Sequence, residues 1–358
     1  MKKIFVIFGG ASAEHDISII TGMQLAKRME ENFKVEKFYF GLDNKFYLAT
    51  KVQDTKFFYD KTKIKLKEVV FIDGYVYEKG MFLKKLFKVD VIVNCCHGGF
   101  GENGDLFSFF AVNKIKLTSA DAISSHIAMD KTLAKTLLKD TVNLVKGLVV
   151  TKENFDEQVK IIDKEFPQNL IVKPNSLGSS IGVKACTKQD FKNQIMAIFE
   201  MNDDALVEQR IEDMCEYNQA CYLTSEGLKL SAIEQPILKS NILSFDDKYN
   251  HNSKSKAKDR IIPAEISPEL EEQIIETTAK IYTRLKLNGV VRIDYIFDNK
   301  TKTLFFNEVN TVPGSMAFYL YESVGIDYIS LVLDLINNCK AEQKFSYFNS
   351  GILEKKLL

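Results

Sequence analysis

At 358 residues, 46% hydrophobic and 27% charged, the chain has the composition of a globular protein and is too long for one ordinary core, so two or three subdomains are expected. Lys+Arg and Asp+Glu each number 48, so no net charge draws the whole molecule to nucleic acid or to a membrane surface. No apolar run reaches the roughly 18 residues of a transmembrane helix. Six cysteines without a CxxC pair and four scattered histidines give no zinc pattern, which points to reduced thiols in a cytoplasmic protein.

Residues 3–8, KIFVIF, read as a buried strand. The preceding lysines imitate a signal peptide, but the apolar run is too short before Gly9-Gly10. A glycine turn and an amphipathic helix through ISIITGMQLAKRM follow, an α/β opening. Short strands are predicted at Phe38–Phe40 and Phe46–Leu48, a hairpin in KTKIKLKEVVFIDGYVYEKG, and a buried strand in VDVIVNCCHGG. Residues 124–141 have helical period, and LIVKPNSLGSSIGVKAC reads as strand, Gly/Ser tip, strand. Strands at 206–211 and 220–225 precede a long polar stretch, residues 239–260, whose length and composition suit a lid. A helix over 267–286 starts at Ser267-Pro268, paired strands follow at 289–298 and 303–310 around DNKT, and a helix over 326–337 comes last.

The paired strands carry the first chemical signal. In FFNEVNTVPGS, Glu308 and Asn310 are two apart and share a strand face; Arg292 and Asp294 do the same in VRIDYIF. Asp, Glu and Asn from neighbouring strands make the all-oxygen set that magnesium prefers beside a polyphosphate, although a solvated sheet edge would carry the same residues. In LIVKPNSLGSSIG the tip frees backbone N–H groups for phosphates and Lys173 adds a charge. This segment is neither a P-loop nor a GxGxxG fingerprint, and taken alone it leaves an ordinary hairpin open.

The ordered set MDK (129–131), VKPNSLGSSIGV (172–183), LVEQ (206–209), RID (292–294) and NEVNTVPG (307–314) resembles ATP-grasp ligases. GGASAEHDIS (9–18), HGGFGENGD (97–105) and DDKYN (246–250) narrow the resemblance to D-alanine–D-alanine ligases, over nearly the whole chain. It implies a Rossmann-like parallel-sheet domain over 1–122, then a two-lobed ATP-grasp fold over 123–208 and 209–358, with 239–260 a mobile loop. The activity implied is ATP-dependent joining of two D-alanines through an acyl phosphate, with two Mg²⁺ (or Mn²⁺) ions. A homodimer and a place in cytoplasmic peptidoglycan synthesis are implied as well.

Carried onto this chain, the resemblance gives Lys131, Lys173, Ser180 and Lys248 to the ATP phosphates, Glu208 to the adenine amino group and Glu216 to the ribose. Asp294, Glu308 and Asn310 would hold the metals. Glu14 would bind the ammonium of the first D-alanine near His97, with Ser179 and Tyr249 linked to it, and Arg292 and the Gly314 N–H would stabilise the oxyanion. Tyr319 stands where the family commonly has a serine for the carboxylate of the second substrate, with Leu320 after it; a phenol can donate the same bond. Gln209, Phe107 and Leu177 depart from the family pattern, and Tyr249 favours an amine over a hydroxyl acceptor.

Overall fold

A computed structural model describes residues 3–60, 65–237 and 260–339 as three sheets with helices packed on them. The first sheet holds β1 (Lys3–Gly9), β2 (Lys34–Phe40), β3 (Phe46–Leu48), β4 (Lys67–Ile72), β5 (Tyr75–Lys79), β6 (Leu83–Lys88), β7 (Val91–Asn94) and β8 (Lys116–Leu117). Its order is β6-β5-β4-β3-β2-β1-β7-β8. β2, β1, β7 and β8 are parallel to one another, and β3 to β6 extend the sheet antiparallel. β1 is buried on both faces from Ile4 onward, as a central parallel strand covered by helices must be, which is why KIFVIF is apolar without alternation. The parallel-sheet expectation therefore holds for half of this sheet. The other half is a meander whose outer strand, LKKLFK, was not anticipated because its lysines leave no buried face.

Gly9 closes β1 at φ +100°, and a Cβ there would lie 2.3 Å from the Phe40 carbonyl oxygen. Only glycine lets β1 turn off beside β2 and deliver the helix His15–Met29 across the strand ends.

The second sheet, β11-β10-β12-β9, is antiparallel: β9 (Gly147–Val150), β10 (Asn169–Pro174), β11 (Lys184–Thr187) and β12 (Ala205–Gln209). It packs with the helices Phe155–Glu165 and Phe191–Glu200 around its own core, including Val172, Val207 and Ile195.

The third sheet has order β15-β14-β13-β16-β17, from β13 (Met214–Thr224), β14 (Gly227–Pro236), β15 (Arg260–Ile261), β16 (Val291–Asp298) and β17 (Thr303–Asn310). One face buries Tyr217, Ile233, Ile293 and Val309 under the helix Pro268–Arg284. That helix starts as expected, with Ser267 accepting from the Leu270 N–H at 3.3 Å and proline in its first turn.

The expected helix over 124–141 is two helices, Ala122–Met129 and Lys131–Leu138. Asp130 separates them, because its carboxylate accepts from the Leu133 N–H at 2.8 Å and caps a new start. The periodicity of the apolar residues survives the break, so sequence pattern alone could not locate it. After β17 the chain crosses back to the first sheet. Met316, Ala317, Leu320 and Tyr321, with Leu331 and Leu335 of the helix Tyr328–Asn337, share one core with Val6, Phe8 and Met23. That shared core seats the first sheet against the third.

Candidate active site

The polar face of the third sheet supplies the acids. Arg292 lies opposite Asn310 and Asp294 opposite Glu308, so the four side chains expected to share a face do so. Arg292 donates to both Asp294 oxygens, at 2.7 and 2.8 Å, and the Asn310 Nδ2 donates to Asp294 Oδ2 at 3.2 Å. Burial works against the Arg292 cation, but the Asp294 carboxylate outweighs it and pushes the guanidinium well above its usual range. The Asn218 amide, on the next strand, is satisfied at both ends when its nitrogen faces the Tyr217 carbonyl at 3.0 Å and Asp294 Oδ1 at 3.3 Å. Glu216 lies two residues before Asn218 on the same strand, half-buried and opposite Ile296.

No three His, Cys, Asp or Glu side chains come together to hold a metal among the described residues. Here the third oxygen belongs to an amide. Asp294, Glu308 and Asn310 are nonetheless hard oxygen donors at adjoining register positions, which is the chemistry a small divalent cation takes, with the remaining places left for phosphate and water. With its nitrogen on Asp294, Asn310 keeps its amide oxygen for another partner.

The second sheet and the helix Lys131–Leu138 bring the lysines. Lys173 on β10 lies 2.7 Å from Glu208 Oε2 and donates to Asn307 Oδ1 at 3.0 Å. Lys135 takes the other Glu208 oxygen. Burial would raise the Glu208 carboxyl, but Lys135 and Lys173 overcome it and hold the group down at about 2. Lys135, for its part, is pushed down by burial and by Lys173, against the pull of Glu208. The Glu208 carboxylate thus holds one lysine on each oxygen. Asp130 fixes Lys131 at the start of its helix, where its Nζ donates to the Leu177 carbonyl at 2.7 Å and lies 3.5 Å from Glu308. Lys135, one turn on, was missed because a second lysine in an amphipathic helix looks like a solvated one.

The first sheet supplies the third wall. Glu14 occupies the cap position of the helix His15–Met29, yet its side chain makes no cap bond. Its carboxylate instead accepts from the Ser179 hydroxyl in the Gly/Ser tip. Ser179 and Ser180 both adopt left-handed backbone, at φ 53° and 59°, which folds the tip over Glu14. Gly98 sits at φ +65°, which favours glycine, and a Cβ there would lie 2.9 Å from Glu14 Oε2 and push that carboxylate aside. His97 is buried; its Nδ1 donates to the Val312 carbonyl at 2.6 Å, and Nε2 pairs with Thr21 Oγ1 at 2.9 Å. Burial, seconded by Arg292, pushes its pKa down despite Glu14 and the Val312 carbonyl, so the ring is a neutral tie between loops.

Glu102, not assigned from sequence, completes that tie. It accepts from the N–H groups of Gly98 at 2.9 Å and of Thr311 and Val312 at 3.1 Å each. Burial, then the neighbouring Glu14 charge, push its carboxyl up to about 7 against those three donors. The signal was present, an acid among glycines in HGGFGENGD. Glu14, Glu102, Lys131, Gly178, Glu308 and Asn310 line one cleft.

Gly314 follows with open space where a Cβ would stand, ahead of three left-handed residues, Ser315, Met316 and Ala317. Leu320 is fully buried in the shared core, so its side chain is withdrawn from the cleft. Tyr319 donates its hydroxyl to Glu234 Oε2 at 3.1 Å. Phe107 packs into the core of the first sheet, and Gln209 ends β12. Lys248 and Tyr249, with nearly all of 239–260, lie outside the described residues.

A cleft lined by Glu14 and Glu102, by Lys131, by the Gly/Ser tip of the second sheet and by Glu308 and Asn310 of the third belongs to an enzyme of the ATP-grasp type. Residues 3–120 match the family model described as the D-ala D-ala ligase N-terminus, and residues 138–337 that of its C-terminus. The chain belongs to the D-alanine–D-alanine ligase family. It is 32% identical to the D-alanine–D-alanine ligase of Sulfurimonas denitrificans, over 97% of this chain and 98% of that one. To that of a Sulfurovum species it is 33% identical, over 89% of each. The crystal structure of the Helicobacter pylori D-alanine–D-alanine ligase superposes with TM-score 0.79 at 25% identity, covering 96% of this chain and all of that one. A D-Ala:D-Ser ligase from Enterococcus faecalis gives 0.78 at 26%, covering 94% and 98%.

Proposed function

We propose that the protein joins two D-alanine molecules at the expense of ATP, releasing ADP and phosphate. The observation that carries this reading is the Glu14–Ser179 pair closing over the same cleft as Lys131, Glu308 and Asn310. A cation-binding carboxylate for an amino acid's ammonium thus lies beside a phosphate-binding end. Membership in the family supports it.

Glu14 would hold the ammonium of the first D-alanine and leave its carboxylate facing the γ-phosphate. Lys131, Lys173 and the backbone of Ser180, with Lys248, would neutralise the triphosphate, Lys131 trading Glu308 and the Leu177 carbonyl for phosphate oxygens. Two Mg²⁺ (or Mn²⁺) ions held by Asp294, Glu308 and Asn310 would supply further charge neutralisation on the transferring phosphoryl group. A carboxylate oxygen takes the phosphoryl group and ADP leaves. The amine of the second D-alanine, having lost a proton, attacks the acyl carbon. Arg292, kept charged by Asp294, and the Gly314 N–H would hold the resulting oxyanion until phosphate departs. Glu216 would receive the ribose hydroxyls, and Glu208 would accept from the adenine amino group.

The same reading divides the chain at about 122 and 208, makes it a homodimer, and places its product in cytoplasmic peptidoglycan synthesis. No helix among the described residues is long and apolar enough to cross a membrane. The test is incubation with ATP, magnesium and D-alanine, following phosphate release and product mass. D-Alanine-dependent phosphate and a D-alanyl-D-alanine mass are expected. ATP hydrolysis indifferent to D-alanine, or turnover only once D-lactate is added, would overturn it.

A further inference from the structure

Tyr319 was expected to bind the acceptor through its hydroxyl. A phenol has one proton, and here that proton goes to Glu234 Oε2 at 3.1 Å. Glu234 is only 3% exposed, and its other oxygen lies 3.0 Å from the Arg260 guanidinium. The guanidinium in turn stands over the Tyr319 ring, 4.7 Å from its centroid. Carboxylate, phenol and guanidinium therefore form a closed triangle in which each member fixes the other two.

The triangle sits beside the oxyanion group. On the third sheet Asn218 lies opposite Glu234 on one side and opposite Asp294 on the other. Glu234 is thus two strands from the Arg292–Asp294 pair, about 10 Å at the backbone. An α-amino acid whose amine attacks an acyl carbon at Arg292 would point its carboxylate toward this neighbourhood. Of the three members, two cannot receive it. Both Glu234 oxygens already have partners, Arg260 and Tyr319, and the Tyr319 hydroxyl is spent. Arg260 has five N–H donors, uses the Nη1 end on Glu234, and leaves 35% of its side chain exposed.

We propose that Arg260 is the anchor for the carboxylate of the acceptor amino acid, with Glu234 and Tyr319 as positioning residues that aim it; this rests on the ligase reading above. Arg260 is the first described residue after 238–259 and pairs with Pro236 across β14 and β15, so strand pairing as well as charge fixes its origin. The arrangement makes a free α-carboxylate, rather than the acceptor's side chain, the feature read at this end.

The experiment is a competition for the acceptor position. Enzyme, ATP, magnesium and D-alanine are mixed with D-alaninamide, which lacks the carboxylate and can serve only as acceptor. Mass spectrometry gives the ratio of D-alanyl-D-alanine to D-alanyl-D-alaninamide. The wild type should favour D-alanine strongly, and Arg260→Gln should cut that preference by about tenfold or more, the scale of a lost charge-assisted contact. Arg260→Lys should fall between them and serves if the glutamine variant fails to fold. Tyr319→Phe, which keeps the ring under the guanidinium, should change the ratio less than Arg260→Gln. An unchanged ratio in both Arg260 variants, or a larger change in Tyr319→Phe, overturns the assignment while leaving the ligase reading intact. No dipeptide of either kind from the wild type would overturn both.

Discussion

The two ends of the cleft are held together by opposite means. At the phosphate end, Lys131, Lys135 and Lys173 are paired with Glu208 and Glu308, so positive charge is stored against carboxylates before any nucleotide arrives. At the first-substrate end the ties are Glu102 and His97, one accepting backbone N–H groups and the other bound to a carbonyl and a hydroxyl. Both shifts favour the uncharged form, up for the acid and down for the imidazole. On the proposed reading, the end that receives a polyanion sets each of its lysines against a carboxylate. On the same reading, an end that presents one carboxylate, Glu14, to an ammonium gains when the buried groups around it favour their uncharged forms.

The strongest way to break this contrast is at the metal face. Glu308→Gln removes an oxygen charge and the partner of Lys131, and turnover should fall by more than about 100-fold with the fold retained, measured as D-alanine-dependent ADP release. Next, Lys135→Met leaves Glu208 buried with one lysine instead of two. A loss of about 3 kcal/mol in urea unfolding is expected, because a buried ion pair deprived of a partner is costly to keep. Ser179→Ala, at the other end, removes a bond to the Glu14 carboxylate and should raise the KM for the first D-alanine about tenfold without a comparable loss of stability.

The remaining effects concern pH, and their signs differ between the ends. Glu208 is held below its ordinary value of 4.5, so its contribution to stability is present above about 4.5 and is lost as pH falls toward 2. Glu102 is raised from 4.5 to about 7, so the fold binds its proton more tightly than the unfolded chain does. Its contribution is present below about 4.5 and lost as pH rises through 7. Glu102→Gln should therefore flatten the decline in urea midpoint between about pH 5 and about pH 8, and leave the acid limb set by Glu208.

What the sequence revealed, and what it hid, follows the same division. Glu308, Asn310, Asp294 and Arg292 were legible because strand periodicity puts i and i+2 on one face, and the register aligned the pairs. The buried run of β1 was legible because both of its faces are covered. Lys135 and Glu234 were not, since each acts through a partner far away in the chain, Glu208 in one case and Tyr319 in the other. β14 itself escaped notice: Lys229, Ser231 and Glu234 interrupt it, and nothing local says that Glu234 is paired with an arginine across the sheet. Tyr319 could be singled out from sequence, but its bond to Glu234 could not, because which acceptor takes a phenol proton is decided by packing.

The central claim is that a carboxylate of D-alanine is activated by phosphoryl transfer in this cleft. Supplying D-alanine labelled with ¹⁸O in its carboxylate and analysing the released phosphate tests it most directly. The account predicts phosphate carrying one oxygen from D-alanine, formed alongside ADP. Phosphate free of label, or AMP and pyrophosphate as products, would contradict it.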